Sequence, residues 1–277
     1  MLQFYQNIPH YLDPIAFSVG SFSIRWYSLM YLIAFAVVYF LLIWRIKKGE
    51  SNFNRDLIVD IIFYSMLGVL IGGRLGYVVF YNLPYFISNP LEIILPLQIT
   101  DYGLLVTGFY GMSYFGGLVG VILGLVILAR KNNISFWKLS DFIIPAVPAG
   151  YFFGRIGNFL NGELYGRVTD KIWGMYFPSD PLGLLRHPSQ LYEAFFEGIV
   201  LFAVLWLLRN KLRNRPGILS GLYLFGYGFF RFFIEFFRQP DHQIGLISGL
   251  TLGQLFSLIL VFMAVAIYLL QRDKKVI

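Results

Sequence analysis

The chain has 277 residues, 57% of them hydrophobic and only 13% charged, with a mean hydropathy of +0.66. Soluble domains carry about 25% charged residues, so this inventory cannot readily cover a water-facing surface. The net charge of +7 lies mostly in short strips between apolar runs, the pattern of membrane-protein loops rather than of a nucleic-acid-binding face. The absence of cysteine excludes a disulfide framework, a thiolate metal site and a cysteine nucleophile.

In chain order, residues 1–24 hold Asp13 but no Lys or Arg. They therefore lack the basic n-region of a signal peptide, and the first apolar run is expected to remain as a transmembrane helix. A helix needs about 20 apolar residues to cross the hydrocarbon. Seven runs qualify: 26–44, 58–80, 110–129, 141–160, 190–208, 217–237 and 246–270. The fourth is the weakest, because it holds Pro145, Pro148 and Gly150. The connections 45–57, 130–140 and 209–216 and the tail 271–277 hold 14 Lys and Arg residues, against 5 on the other side (Arg25, Arg167, Lys171, Arg186 and Arg238). The positive-inside rule then puts the N-terminus outside and the C-terminus in the cytoplasm, as an odd number of spans requires. The expected fold is an all-α polytopic membrane protein. All of 1–277 forms one integral membrane domain, with 81–109 and 161–189 as loop segments of a small periplasmic cap. Trp26, Tyr27, Trp44, Tyr81, Trp173 and Trp206 stand near span ends, as interfacial anchors do. No internal repeat is visible.

Four polar groups interrupt this apolar frame. Gly154-Arg155-Ile156-Gly157-Asn158-Phe159-Leu160-Asn161-Gly162-Glu163-Leu164-Tyr165-Gly166-Arg167 follows directly on the fourth run. An arginine at mid-bilayer costs about 2.5–3.5 kcal/mol on insertion scales, so such a residue marks a functional site. Arg155 suits a lipid phosphate, since guanidinium stays charged and offers a planar fork of donors; alternatively it pairs with Glu163 or another carboxylate to fix the loop. Asn158 and Asn161 either orient the same cavity or cap a helix end. In Tyr227 through Arg238, Arg231 and Glu235 are four apart and share a helical face with Arg238. They line an approach to a site or neutralise one another, and Asp241 and His242 follow. In Arg186-His187-Pro188-Ser189-Gln190-Leu191-Tyr192-Glu193, Ser189 is a candidate cap for the fifth helix. Glu193 and Glu197 lie in an apolar span and are candidate partners for Arg155, Arg231 or Arg74. In the second run, Gly68, Gly72 and Gly76 form a small-xxx-small row for close helix packing. Arg74 is off that row, with a structural or headgroup-contact role. His10, His187 and His242 have no ligand partner at i+4, and no HExxH, P-loop, Rossmann glycine pattern or G-x-S-x-G elbow occurs.

The run Gly154 to Arg167 resembles the signature of the prolipoprotein diacylglyceryl transferases. So do Ile24-Arg25-Trp26-Tyr27-Ser28-Leu29-Met30-Tyr31, Gly72-Gly73-Arg74, His187-Pro188-Ser189-Gln190-Leu191-Tyr192-Glu193, and Arg231 through Asp241, in family order across almost the whole chain. The resemblance implies an enzyme of the bacterial inner membrane with its site toward the periplasmic side. It passes a diacylglyceryl group from phosphatidylglycerol to the lipobox cysteine of a preprolipoprotein signal peptide and releases glycerol phosphate. The resemblance implies no metal and no organic cofactor; partners are membrane lipid and the precursor, with no nucleic acid, and the chain is expected to act as a monomer. It assigns catalysis to Arg155, Arg231, Tyr27 and Glu163. Substrate or lipid contact falls to Asn158, Asn161, Gly166, Arg167, Glu235, Arg238, Arg74, His187 and the position of Phe115. That last position departs from the family, which usually has histidine there, and phenylalanine can neither accept a proton nor donate a hydrogen bond. Three explanations stand: the histidine is dispensable, another group (His187, Tyr27 or Glu163) supplies the base, or the copy is impaired or specialised. Two other readings of the whole remain open, a transporter of a phosphate-bearing lipid or small anion and a catalytically silent binder of lipid or lipoprotein precursor.

Overall fold

The computed structural model describes residues 2–20, 22–94, 97–100, 103–106, 111–240, 246–247 and 249–272, with the backbone alone at 22, 97–100, 103–106 and 246–247. The longer helices, in chain order, are α1 Trp26–Lys47, α2 Arg55–Tyr81, α3 Tyr114–Lys131, α4 Val147–Leu160, α5 Ser189–Leu208, α6 Ile218–Ile234 and α7 Leu252–Gln271. Five of them, α1, α2, α3, α5 and α7, are long and apolar enough to cross a bilayer. The chain is therefore an all-α, multi-pass membrane protein.

The fourth and sixth apolar runs form shorter helices of 14 and 17 residues. Proline explains the fourth. Pro145 and Pro148 each lack a backbone donor. The run accordingly breaks into a helix Phe136–Ile143, a 3-10 turn Ile144–Ala146, and α4 with Pro148 in its first turn. The sixth begins only after Gly217, whose φ is +88°.

Sequence periodicity did not reveal four small antiparallel strand pairs: β1 Ile15–Val19 with β2 Phe22–Arg25, β3 Leu97–Thr100 with β4 Gly103–Val106, β5 Met175–Tyr176 with β6 Leu185–Arg186, and β7 Leu246–Ile247 with β8 Leu250–Thr251. They are two to five residues long, too short for an alternating pattern to register. The last pair takes the N-terminal part of the seventh apolar run. It turns at Gly249 (φ +80°), and α7 then starts at a capping box of Thr251 and Gln254.

Two compact units make up the chain, Met1–Ser51 with Ser140–Ile277, and Asn52–Leu139. In the second unit α2 packs on α3 through the glycine row. A Cβ at Gly68 would stand 2.6 Å from the Gly120 carbonyl oxygen, and one at Gly76 would stand 2.7 Å from Gly116 Cα. Backbones this close admit only glycine, the packing mode of small-xxx-small helices. In the first unit α1 packs on α4, α4 on α5, and α6 on α7.

Candidate active site

The site of the first unit begins on α4. Tyr151, Arg155 and Asn158 lie at i, i+4 and i+7, one face of the helix. Opposite them stands α5, which is α-helical over Ser189–Glu193, π-helical over Ala194–Val200 and α-helical again over Leu201–Leu208. Single π turns inside helices recur at functional sites because they re-aim side chains. Here the π segment starts just after Glu193 and contains Glu197. Gly198 lets the two helices close, since a Cβ there would lie 2.9 Å from Phe152 Cβ.

Glu193 is fully buried and is the centre of the cluster. Its Oε2 lies 2.7 Å from Arg155 Nε and 3.1 Å from Arg231 Nη1, and its Oε1 lies 3.9 Å from Arg238 Nη1. Arg231 Nη2 is 3.3 Å from Glu235 Oε2, the expected i,i+4 pair. Arg155 Nε also donates to the Tyr151 hydroxyl at 2.7 Å, and that hydroxyl lies within hydrogen-bond reach of Glu193 Oε2 (3.2 Å) and Glu197 Oε2. Tyr227 meets the Tyr151 ring edge-on at 5.8 Å. Three arginines (155, 231 and 238) thus face three buried carboxylates (193, 197 and 235), and their formal charges cancel. Mutual proximity is what makes so many buried charges tolerable in an apolar setting. The cluster is nevertheless not saturated. Glu193 Oε1, Glu197 Oε1, Glu235 Oε2, Gln190 Oε1 and Arg231 Nη1 are buried without an aligned hydrogen-bond partner. Arg231 Nη1 is at ion-pair distance from Glu193 but does not point along a hydrogen bond.

A second tier lies at the C-terminal end of α4. Asn158 Oδ1 accepts from Arg155 Nη1 at 3.2 Å. Glu163 is gripped by two amides, Asn158 Nδ2 to Oε1 at 2.7 Å and Asn161 Nδ2 to Oε2 at 2.9 Å, and Arg25 Nη1 donates to Asn161 Oδ1 at 3.4 Å. Asn161 is also the C-cap residue of α4, which is the helix-end reading of that residue. Arg155 takes Glu193 as its carboxylate, which decides against the pairing with Glu163. The backbone of this loop is bent hard. Leu164 has φ +59°, a conformation that costs a non-glycine residue on the order of 1 kcal/mol and is held by its surroundings. Ser189 Oγ donates to the Leu164 carbonyl at 3.0 Å, and Gln190 Nε2 donates to the Glu163 carbonyl at 2.5 Å. This corrects the capping expectation: Pro188 occupies the N-cap position of α5, Ser189 is the first helical residue, and its hydroxyl serves the loop instead.

A third set of contacts ties the loop to the end of α6. Gly166 N–H donates to His187 O at 2.7 Å, Arg167 N–H to Phe237 O at 2.8 Å, and His187 N–H to Arg167 O at 3.0 Å. Arg167 Nε donates to Arg238 O at 2.9 Å. A Cβ at Gly166 would meet His187 Cβ and O at 2.8 Å as well as the Phe237 carbonyl, so only glycine fits. His187 Nδ1 is 3.0 Å from the Tyr192 hydroxyl, and its ring packs on Phe237 with centroids 5.1 Å apart. Burial pushes its pKa below the usual histidine value of 6.5, which keeps the ring neutral at pH 7. Close by, Asp180 forms a two-pronged pair with Arg186 (2.8 Å from Nε, 2.9 Å from Nη2). The Arg186 hydrogen bonds hold that carboxyl below its ordinary 3.8.

The remaining expected residues are Tyr27 in the first unit and Arg74 and Phe115 in the second. Tyr27, in the first turn of α1, donates its hydroxyl to Tyr31 at 3.1 Å. Gly157 of α4 packs against the Tyr27 backbone. Arg74 belongs to the second unit, where it serves backbone carbonyls: Nη2 to Glu92 O at 2.5 Å, Nε to Ile93 O at 3.1 Å and Nη1 to Gly111 O at 3.4 Å. Phe115, in the same unit, lies in the first turn of α3 and is partly exposed. Asp241 and His242 lie outside the described residues. Tyr151 was missed from sequence, although its spacing of four from Arg155 was the available signal.

Fold and site together define a polytopic membrane protein with a buried, charge-balanced arginine–carboxylate centre. A family model described as prolipoprotein diacylglyceryl transferase matches residues 14–270. The chain is 46% identical over 271 residues to the phosphatidylglycerol–prolipoprotein diacylglyceryl transferase of Chlorobaculum tepidum, covering 98% of this chain and 93% of that protein. The similarly described protein of Bordetella avium is 50% identical over 260 residues, 93% of this chain and 92% of that protein. That of Pseudoalteromonas translucida is 50% identical over 250 residues, 89% and 88% respectively. The chain belongs to the prolipoprotein diacylglyceryl transferase family.

Proposed function

We infer that this inner-membrane enzyme transfers the diacylglyceryl group of phosphatidylglycerol to the lipobox cysteine thiol of preprolipoproteins. Family membership over nearly the full chain carries this conclusion. In the reaction the cysteine sulfur forms a bond to the glyceryl carbon. That carbon's bond to the phosphate oxygen breaks, glycerol phosphate leaves with the electron pair, and the thiol proton is released to solvent or to the departing phosphate.

In our reading of the site, Arg155 and Arg231 hold the phosphate and meet the negative charge that develops on the leaving oxygen. Donors fixed in a low-dielectric site are worth more than in water, and removal of one such donor typically costs 10²–10³-fold in rate. Glu193 keeps both guanidinium groups charged and close together while the lipid is absent. Arg231 Nη1 leaves donor capacity for the phosphate, and the unaligned oxygens of Gln190, Glu193, Glu197 and Glu235 can accept from glycerol hydroxyls. Asn158 and Asn161 fix Glu163, which faces the incoming thiol or the glycerol headgroup. Glu235 and Arg238 steer the headgroup in. Gly166, Arg167 and His187 hold the loop against α6, and Tyr27 lines the same approach. Arg74 acts on its own unit's backbone or on a headgroup. A cysteine thiol has a free pKa of about 8.5, and the concentration of arginines favours its thiolate. Dedicated base chemistry at position 115 is therefore not required, and Phe115 is compatible with turnover.

We further read the chain as seven spans with the N-terminus outside and the C-terminus in the cytoplasm. Residues 1–277 then form one membrane domain, and 81–109 and 161–189 form the outward cap. Support comes from the 14 to 5 division of Lys and Arg between the two sides, with α4 and α6 as the two short spans.

The test is an in-vitro assay of purified protein with phosphatidylglycerol and a lipobox peptide, run beside Phe115→His. Peptide lipidation with equimolar glycerol phosphate release by both proteins supports the reading. Lipidation only by Phe115→His would show that the chain as it stands is a silent copy. Lipid movement across vesicles without peptide modification would favour a transporter.

A further inference from the structure

A second lipid contact lies at the other end of the first unit. The last two turns of α1 and the second half of α5 form an apolar groove of about 430 Å³ lined by Val37, Phe40, Leu41, Trp44, Phe202 and Trp206. Trp44 and Trp206 meet at its mouth with ring centroids 5.4 Å apart. From Val37 to Trp44 the helix rises about 10 Å, comparable to much of one leaflet's share of a hydrocarbon core of about 30 Å. The groove is therefore of the length and polarity to take part of one acyl chain lying along the helices.

The mouth is strongly basic. Residues 45–50 and 209–215 carry Arg45, Lys47, Lys48, Arg209, Lys211, Arg213 and Arg215 against the single acid Glu50. Glu50 is buried and binds the two connections together, 2.7 Å from Arg45 Nε and 2.9 Å from Arg209 Nη2. Those pairs pull its carboxyl below the usual range despite the opposing effect of burial. Arg213 Nη1 adds a bond to Gly49 O at 3.1 Å. Arg45 and Arg209 are thus committed to the protein, but Lys47, Lys48, Lys211 and Arg213 remain exposed at the rim. Lys48 Nζ lies 5.7 Å from the Trp44 ring, directly beside the groove. Basic loops alone are explained by topology. A built junction of two basic loops over an apolar, tryptophan-flanked groove is not.

We propose that this groove binds an anionic phospholipid of the cytoplasmic leaflet, one acyl chain against Phe40, Trp44, Phe202 and Trp206 and its phosphate at Lys48 and Arg213. The leaflet is cytoplasmic if the N-terminus lies outside, as proposed; the contact itself does not depend on that orientation. This lipid is not the one consumed, and its role is to fix α1 to α5 from below the catalytic cluster.

The experiment uses the full chain with Trp26, Trp137 and Trp173 replaced by Phe, leaving Trp44 and Trp206, in phosphatidylcholine nanodiscs. Acyl-brominated phosphatidylserine is titrated in as the quencher, because it is anionic and is not the proposed substrate. Saturable quenching at low mole fraction is expected, well above that from brominated phosphatidylcholine. Lys48→Gln, and Lys48→Gln with Arg213→Gln, should raise the half-saturating fraction by at least threefold, while peptide lipidation, assayed separately with phosphatidylglycerol and a lipobox peptide, continues. Quenching that rises linearly with mole fraction, equals that of phosphatidylcholine and ignores both variants would overturn the proposal. Loss of peptide lipidation in the parent protein would instead count against the functional reading and leave the quenching result intact.

Discussion

Replacing Glu193 by Gln removes the charge that three arginines share while conserving shape. Arg155 and Arg231 then lose the carboxylate at 2.7 and 3.1 Å, and Arg238 loses its distant partner. Glu197 and Glu235 remain, so three guanidinium groups face two carboxylates and the cluster gains one net positive charge. Breaking a buried pair from one side costs about 3–5 kcal/mol. At roughly 2–4 °C per kcal/mol for a chain of this size, the apparent melting temperature in neutral detergent should fall by on the order of 10 °C. An added anion that occupies the vacated position should restore part of the loss. Melting of Glu193→Gln is therefore expected to rise more on adding phosphatidylglycerol than melting of the parent does, and neither should respond equally to phosphatidylcholine. Equal melting of variant and parent would refute the central position given to Glu193. A variant destabilised but indifferent to phosphatidylglycerol would refute the link between this carboxylate and the lipid phosphate.

Two more outcomes follow from the geometry. Gly166→Ala puts a methyl group 2.8 Å from His187 Cβ and O, an overpacking that typically costs about 1–3 kcal/mol; lipidation activity should fall at least tenfold, with the hydrogen bonds to His187 and Phe237 disturbed, whereas normal activity would mean the loop can move aside. The Asp180 carboxyl is depressed by Arg186, so its contribution to stability is present above its ordinary 3.8 and is lost as pH falls through the lower folded value. Trp173 fluorescence should report a transition of the 175–186 strand pair in that acid window, and an unchanged transition in Asp180→Asn would contradict the assignment.

Much of the molecule was legible because lipid imposes few solutions. Apolar runs long enough to cross the core stand out by length alone, and α1, α2, α3, α5 and α7 follow those runs. Boundaries failed where local chemistry overrides hydropathy: Pro145 and Pro148 broke the fourth run, and Gly249 with the Thr251 cap turned the start of the seventh into a hairpin. At the site, single helices announced their own pairs, such as Arg231 with Glu235. Contacts between helices were readable only in outline: Glu193 stood among the candidate partners of Arg155 and Arg231, and it does pair with both. Nothing in the spacing says that Arg155, Arg231 and Arg238 share Glu193, because this depends on the π segment of α5 and on the close approach that Gly198 permits. Tyr151 was overlooked because a tyrosine in an apolar helix looks like packing until its hydroxyl is found between an arginine and two carboxylates. For Arg74 the sequence left a structural and a headgroup role open, and three carbonyls of its own unit accept from it.

The central claim is that Arg155 and Arg231 act on phosphate through forked, fixed donors and not through charge alone. Arg155→Lys and Arg231→Lys keep the charge and lose the fork. Initial rates of peptide lipidation, with glycerol phosphate measured alongside, should fall by about 10²–10³-fold in each variant while the protein remains folded. Rates equal to the parent's in both variants would contradict the account.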